Sequence, residues 1–391
     1  MRMTGRERIL AAFRGEAPDF IPFAPNLYYW FYSRAARNSL PEEIAWAQHP
    51  FDVLRYLGAD ILARWDTQYA TREVFPSGRY SEQFEGESSF ERPVVTAFNV
   101  YPPGKKRLRR RLETPYGVLT STWELSEEAV ADLVSEPWWK DWSQYEAVRF
   151  LIESREFVFD ADLFRSWVRR VGEDGLVMAS VTYSPLKNFH WLAGAENASL
   201  FIADHPEEMK TLARIHEEKV LALIAEMVKV PEVEILISND NLDSAFHPPR
   251  LFREYCESFY RKAAEIVHAA GKIFVVHACG RNKALMPLVG ACRIDCLEGL
   301  TPPPNGDVLL GEARRMAGYE SFTVNGGMDA PRLQIREDAE RRLHEYTREL
   351  FASMGDGRHF IYASSCSTPG DAPWENLKSL RDAAREYGRL R

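Results

Sequence analysis

His277, Cys279 and Cys366 stand out as a possible set of ligands for one metal ion. The first two lie in VVHACG, directly after the apolar run Ile273-Phe274-Val275-Val276. The third lies in IYASSC, again behind a short apolar run, with 86 residues between the two cysteines. At the end of a strand, residues i and i+2 point the same way, so one ion could take both His277 and Cys279. Two thiolates and an imidazole are ligands that zinc accepts, and three protein ligands leave a fourth position for a substrate. Such a set suits catalysis better than scaffolding. A plainer reading stands beside it: cysteines are among the most buried residues, and a histidine ending a core strand is commonly just hydrogen-bonded in place. Spacing alone leaves both open, because one His-x-Cys pair with a distant cysteine is a weaker pattern than two CxxC pairs.

Other polar residues stand where apolar runs end. In Ser238-Asn239-Asp240-Asn241-Leu242-Asp243, Asp240 and Asn241 could hold a substrate or orient a metal-bound histidine. Turns and helix caps favour the same residue types. Glu298, after Asp295-Cys296-Leu297, could supply a fourth metal ligand or accept a proton; a strand-end carboxylate facing solvent is the more ordinary expectation. Asp66, Tyr183 and Asn325 occupy equivalent strand ends, where each would face a small ligand. In the aromatic stretch 28–32, Tyr28 and Trp30 could wall an apolar pocket, although packing a helix against the sheet is the commoner use. Cys256, Cys292 and Cys296 fall inside expected helices or strands and read as core or surface thiols. The basic run Lys105 to Arg111 reads as a solvated face, and Gly326-Gly327 lacks the GxGxxG context of a nucleotide site.

The elements that must position these residues follow from the hydrophobic pattern. Short apolar runs at 176–181, 233–237, 273–276, 294–297, 321–324 and 359–362 alternate with helical stretches such as 207–228, 249–270 and 335–354. With two earlier candidates, Phe20 to Phe23 and Ala59 to Trp65, they make eight strands, each followed by room for a helix. That is the order of a (β/α)8 barrel, in which chemistry sits where strands end. An open doubly wound sheet is the alternative. Residues 67–126 differ in character: Gly and Pro punctuation with runs at 94–98 and 117–123 predicts antiparallel strands inserted after the second strand of a single domain, residues 1–391. Thr4-Gly5-Arg6-Glu7 has the form of a capping box.

Composition bounds the rest. A chain of 391 residues with 45% apolar and 27% charged residues reads as an ordinary soluble globular protein. Its net charge of −8 argues against a general nucleic-acid binder. No stretch has the apolar length of a membrane span, and MRMTGRERIL has no apolar secretory core. Five cysteines are too few, and odd in number, for a disulfide scaffold, which predicts reduced thiols in the cytoplasm.

Several segments together resemble the uroporphyrinogen decarboxylase superfamily: the opening RERILAAFRGEAPDFIPF, the GAD before the second strand, ETPYG, HPEEM, and the succession VHACG, VNGGMD, APWENL. The resemblance spans nearly the whole chain. Its His-x-Cys and late Cys are similar to the zinc, cobalamin-dependent methyltransferase branch, which includes coenzyme M methyltransferases and enzymes that demethylate methoxylated aromatics or methylamines. That resemblance implies zinc on His277, Cys279 and Cys366, and a corrinoid (cobalamin) as the other cofactor. A separate corrinoid protein would carry it, since no DxHxxG motif is present, and homodimers are common in the superfamily. The implied reaction moves a methyl group between a small donor, or a thiol acceptor, and the corrinoid. The sequence departs from true decarboxylases in two places. Their Met-Arg-Gln-Ala-Gly-Arg type segment is here Ala24 to Trp30, without arginines to clamp an acidic tetrapyrrole, and their late Gly-His-Gly turn is here Ser365-Cys366-Ser367. A lyase acting on another small carboxylate, and a non-catalytic ligand-binding barrel, are the competing expectations.

Overall fold

The computed structural model describes residues 3–390 apart from Ser77, Gly78 and Ala97, and for Asp66 and Thr67 the backbone alone. Thr4 caps the first helix, α1 (Gly5–Arg14): its hydroxyl accepts from the Glu7 amide while the Glu7 carboxylate accepts from the Thr4 amide. A second helix, α2 (Tyr28–Ala36), carries the aromatic stretch.

Among the described residues, seven strands pair in parallel in unbroken chain order. They are β1 (Ile61–Ala63), β2 (Gly175–Val181), β3 (Ile235–Ser238), β4 (Ile273–His277), β5 (Cys296–Leu300), β6 (Thr323–Met328) and β7 (Phe360–Ser364). A doubly wound sheet reverses its order part-way across; this one does not. Its two edges are joined by the segment predicted as the first strand. The Tyr362 amide donates to the Pro22 carbonyl (2.8 Å), the Ala24 amide donates to the Tyr362 carbonyl (2.9 Å), and the Asp60 amide donates to the Phe23 carbonyl (2.8 Å). Pro22 has no amide hydrogen to give a ladder, so the segment forms a bridge rather than a regular strand. The result is a TIM-like α/β fold.

The strands are short and apolar because both of their faces are covered. Inward-facing Leu176, Met178, Ile235, Ile237, Val275 and Ile361 pack with Ile9 and Phe13 of α1, which stops the N-terminal end of the sheet cylinder. The alternate residues face the surrounding helices. With the N-terminal end filled, the polar strand ends are left at the C-terminal end, where a site can form. The stretch expected as one helix over 249–270 breaks at Cys256 into Pro249–Tyr255 and Glu257–Ala269.

Between β1 and β2 the chain makes a four-stranded antiparallel sheet, Tyr80–Glu85, Arg107–Thr114, Gly117–Ser126 and Ala131–Glu136. Its last strand runs beyond residue 126. The basic run lies here, with Arg107 paired to Glu124 and Arg110 to Glu82 across neighbouring strands. Among the described residues no helix is long and apolar enough to cross a membrane.

Helix α3 (Pro185–Ala193) follows β2, and α4 (Pro206–Met227) lies behind it. His216 of α4 fastens this corner: Nε2 donates to the Tyr183 carbonyl (2.8 Å) and Nδ1 accepts from the Arg155 guanidinium (3.0 Å). The ring must stay neutral to do both. Burial, with Arg155 alongside, pushes its pKa down from 6.5 to about 3. A depressed folded-state pKa means that the stability His216 carries is complete above pH 6.5 and is lost as pH falls towards 3, by about 1.4 kcal/mol per pH unit. We therefore expect unfolding free energy, measured in urea at pH 7, 6 and 5, to fall more steeply for the native chain than for His216→Gln. Parallel pH profiles would show that His216 is not held neutral.

Candidate metal centre

Strand register assembles the first half of the site. His277, the last residue of β4, pairs with Glu298 of β5, and Glu298 pairs with Asn325 of β6. In-register neighbours on parallel strands point to the same side. The His277 Nδ1–H donates to the Glu298 carboxylate at 2.5 Å, and the Arg64 guanidinium, just past β1, reaches the same carboxylate at 2.9 Å. Burial works against ionising Glu298, but Arg64 and His277 outweigh it and hold its carboxyl below the usual value. An ionised Glu298 fixes the imidazole tautomer with Nδ1 protonated. Nε2 thereby faces Cys366, and against burial and Arg64, Glu298 with Cys366 raises the imidazole pKa.

There the ligand set converges. The donor atoms of His277, Cys279 and Cys366 all lie within 4.8 Å of one another, and Cys366 Sγ stands 3.6 Å from His277 Nε2. Bond lengths of about 2.0 Å to nitrogen and about 2.3 Å to sulfur put the N···S edge of a tetrahedral zinc site at about 3.5 Å. The donor set and its spacing fit zinc. The two sulfurs already behave as a pair. The hydrogen bond from Cys279 holds Cys366 well below an ordinary thiol, against its burial and with help from His277 and Arg64, and the same bond raises Cys279 well above. A thiolate is the form that binds metal.

Cys366 lies two residues beyond β7 and is held in place by a loop clamp. The Asn26 side-chain amide donates to the Cys366 carbonyl (2.8 Å), the Asn26 amide donates to Ser364 Oγ (3.1 Å), and the Thr368 amide donates to the Asn26 carbonyl (2.9 Å). Gly299 makes the approach possible. It sits at a register irregularity with φ of 89°, where a Cβ would lie 2.2 Å from the Ser365 carbonyl oxygen and 3.0 Å from His277 Cε1. Neither Asn26 nor Gly299 stood out in the sequence, since nothing local to either marks a partner 340 residues away or a close approach.

The remaining candidates are distributed unevenly. Glu298 is buried, not solvent-facing as expected, because Arg64 and His277 neutralise it there; it sits on Nδ1, behind the ring, rather than with the sulfurs. Asp240 is fully buried and accepts from the Ser184 amide, Ser238 Oγ and Tyr260 Oη, so its oxygens tie β2 to β3. Asn241 takes φ of 48° in the following turn. Asn325 is buried in register with Glu298, and its Oδ1 has no hydrogen-bond partner among the described residues. Tyr183 and Trp191 line a cavity of about 690 Å³ beside the antiparallel sheet, with Tyr80, Phe98, Trp123 and Asn239. Asp66 begins a 3-10 turn after β1; its side chain lies outside the described residues.

The expected pocket wall of Tyr28 and Trp30 is corrected. Trp30 is fully buried, stacked on Trp374 and bonded through Nε1 to the Ala372 carbonyl, while Tyr28 stacks on Trp65 and packs against Phe51. Both serve helix packing. Tyr29, one step round α2, packs edge-on to Trp65; burial first, then the negative charge of Cys366 and other groups including Cys279, raises its hydroxyl pKa.

Fold and site define a TIM-like α/β protein with a His-Cys-Cys ligand set at the C-terminal ends of its strands. A family model described as uroporphyrinogen decarboxylase (URO-D) matches residues 136–387. The chain belongs to the uroporphyrinogen decarboxylase family. The candidate ligands His277, Cys279 and Cys366 fall within the match; most of the antiparallel sheet precedes it. Among solved structures, a methyltransferase from Methanosarcina mazei is similar over 98% of this chain and 99% of its own, at 13% identity and a TM-score of 0.59. An intracellular xylanase from Thermoanaerobacterium saccharolyticum is similar over 55% of this chain and 74% of its own, at 12% identity and a TM-score of 0.33. No curated protein matches the chain by sequence.

Two substitutions test the geometry. Glu298→Ala frees the imidazole and leaves Arg64 without this carboxylate, so zinc affinity measured by chelator competition should fall about 10- to 100-fold; unchanged affinity would mean that the carboxylate does not orient the ligand. Gly299→Ala should lower zinc stoichiometry because the Cys366 loop must move away, and full occupancy in that variant would contradict the close approach.

Proposed function

We propose that this protein is a zinc-dependent methyltransferase that moves a methyl group between a small substrate and a corrinoid. The observation that carries the proposal is the three-donor set at the strand ends, two sulfurs and an oriented imidazole, which leaves a tetrahedral ion one position for a substrate heteroatom. Zinc bound there would act as a Lewis acid, lowering the pKa of a bound thiol or stabilising the heteroatom that gives up a methyl group. The chain's own residues supply the rest. Glu298, paired with Arg64, accepts from Nδ1 of His277 and so presents Nε2, and Cys279 and His277 shift Cys366 towards its thiolate form.

The family match on its own also suits a lyase. Against that, the segment Ala24 to Trp30 offers Asn26 to the Cys366 loop and aromatic side chains to the core, with no guanidinium to hold a polycarboxylate substrate. The full-length likeness to a methyltransferase fold is consistent with the proposal. The substrate would be a methoxylated aromatic, a methylamine or a thiol, and the aromatic-lined cavity of about 690 Å³ has room for the first. A separate protein would carry the corrinoid. We place the enzyme in the cytoplasm, where its five free cysteines would remain reduced, and expect a homodimer.

The test is methyl exchange followed through the visible spectrum of cobalamin, using methylcob(III)alamin with thiols and cob(I)alamin with methoxylated aromatics or methylamines. Turnover should vanish on chelation, return with one equivalent of zinc, and fall about 100-fold or more in Cys366→Ser. Turnover that survives removal of the metal would overturn the proposal.

A further inference from the structure

A second cavity, of about 700 Å³, lies apart from the metal centre. Asp60, directly before β1, and Arg8 of α1 line it, which places it at the N-terminal side of the sheet. The candidate metal ligands stand at the other ends of the strands. The cavity has the size of a small-molecule site. Its back wall is apolar, formed by Phe20, Ile21, Phe23, Ala384 and Leu390, and four arginines surround it: Arg8, Arg381, Arg385 and Arg389.

Local structure explains why the arginines gather. Helix α5 (Trp374–Tyr387) carries Arg381 and Arg385 one turn apart on one face. The chain then runs back along the segment that joins the sheet edges. The Ile21 amide donates to the Gly388 carbonyl (2.7 Å), and Phe20 and Arg389 stand opposite each other in an antiparallel bridge. Opposed residues in such a bridge project to the same side, so the Arg389 side chain and the Phe20 ring share one wall. Gly58 admits Arg385. It ends the helix Pro50–Leu57 with φ of 63°, and a Cβ there would lie 2.4 Å from Arg385 Nη2, which donates to the Leu57 carbonyl (3.0 Å).

The four guanidinium groups are not equivalent. Arg8 is spent between Asp19, at 2.8 Å, and Asp60. Those two carboxylates also accept from the Phe20 and Phe23 amides, at 3.0 and 3.1 Å. Arg381 forms a two-point pair with Asp382, at 2.8 and 2.9 Å. Among the described residues no carboxylate lies within ion-pair distance of Arg385 or Arg389, and the Arg389 side chain donates no hydrogen bond. Arg385 donates only to the Leu57 carbonyl, although a guanidinium carries five N–H donors. Two unpaired cations on one cavity wall repel each other. An anion between them would receive forked, charge-assisted hydrogen bonds, and the apolar wall would take the rest of its molecule.

We propose that this cavity is a second ligand site that takes a small amphiphilic anion. Its carboxylate or phosphate monoester group lies between Arg385 and Arg389, and its apolar body lies against Phe20, Ile21 and Leu390. No candidate metal ligand lines the cavity, so this ligand is distinct from the substrate of that centre, and the site does not depend on the zinc reading.

The test uses the full chain and two fluorescent probes of matched shape, anionic 1-anilinonaphthalene-8-sulfonate and its uncharged parent N-phenyl-1-naphthylamine. The native chain should bind the anion at one saturable site, at least about tenfold more tightly than the parent. Chelation of metal should leave that binding unchanged. The double variant Arg385→Gln/Arg389→Gln should lose the preference for the anion. Arg389→Gln alone should lose part of it at an unchanged thermal midpoint, because that side chain holds nothing in the described structure. Hexyl phosphate or hexanoate should displace the anionic probe, which identifies the acid, and 1-hexanol should not. Equal affinity for the two probes would overturn the proposal. So would an unaltered preference in the double variant, since the probe would then sit elsewhere, for example in the aromatic-lined cavity. Loss of binding on chelation, displacement by none of the three competitors, or displacement by 1-hexanol as readily as by the anions would overturn it as well.

Discussion

Two half-buried cysteine sulfurs and a buried imidazole nitrogen, held within 4.8 Å of one another, set the requirement that the rest of the structure meets. Such a cluster is costly without a shared positive charge. Thiolates repel each other, and a buried thiol that keeps its proton is a poor hydrogen-bond partner. The tension falls unequally on the sulfurs, with Cys366 shifted below an ordinary thiol and Cys279 above it. A divalent cation would relieve both at once, which is why zinc is the occupant we propose.

The fold brings distant parts of the chain to this point by ordinary means. Parallel register sets His277 beside Glu298 without any special residue. Arg64 arrives from the other side of the cylinder because β1 is joined to β7 through Pro22 to Ala24, and it keeps Glu298 ionised. Gly299 lets two main chains approach more closely than any side chain would allow. Asn26 reads the Cys366 loop through its backbone, so the loop is placed by a residue that never touches the sulfur. Helix α1 fills the opposite end of the cylinder and leaves only one end for chemistry.

How much of this was legible depended on whether the cause was local. Apolar strands buried on both faces announce themselves as short runs of Val, Ile and Leu, and the capping box at Thr4 is a four-residue pattern. The His277, Cys279 and Cys366 set was readable because ligand chemistry restricts residue type. Glu298 was expected at the surface because its partners, Arg64 and His277, come from other strands, and no local pattern tells a neutralised carboxylate from a solvated one. Tyr28 and Trp30 turn out to pack on Trp65 and Trp374, since aromatic composition says nothing of a helix's rotation until its neighbours are known.

Zinc K-edge absorption on the zinc-loaded protein reports the atoms bound to the ion and their distances. Two sulfurs at about 2.3 Å and one imidazole nitrogen at about 2.0 Å are expected, with the remaining position filled by a light atom that a thiol replaces with a third sulfur. A first shell of oxygen and nitrogen alone, or one sulfur fewer, would contradict it.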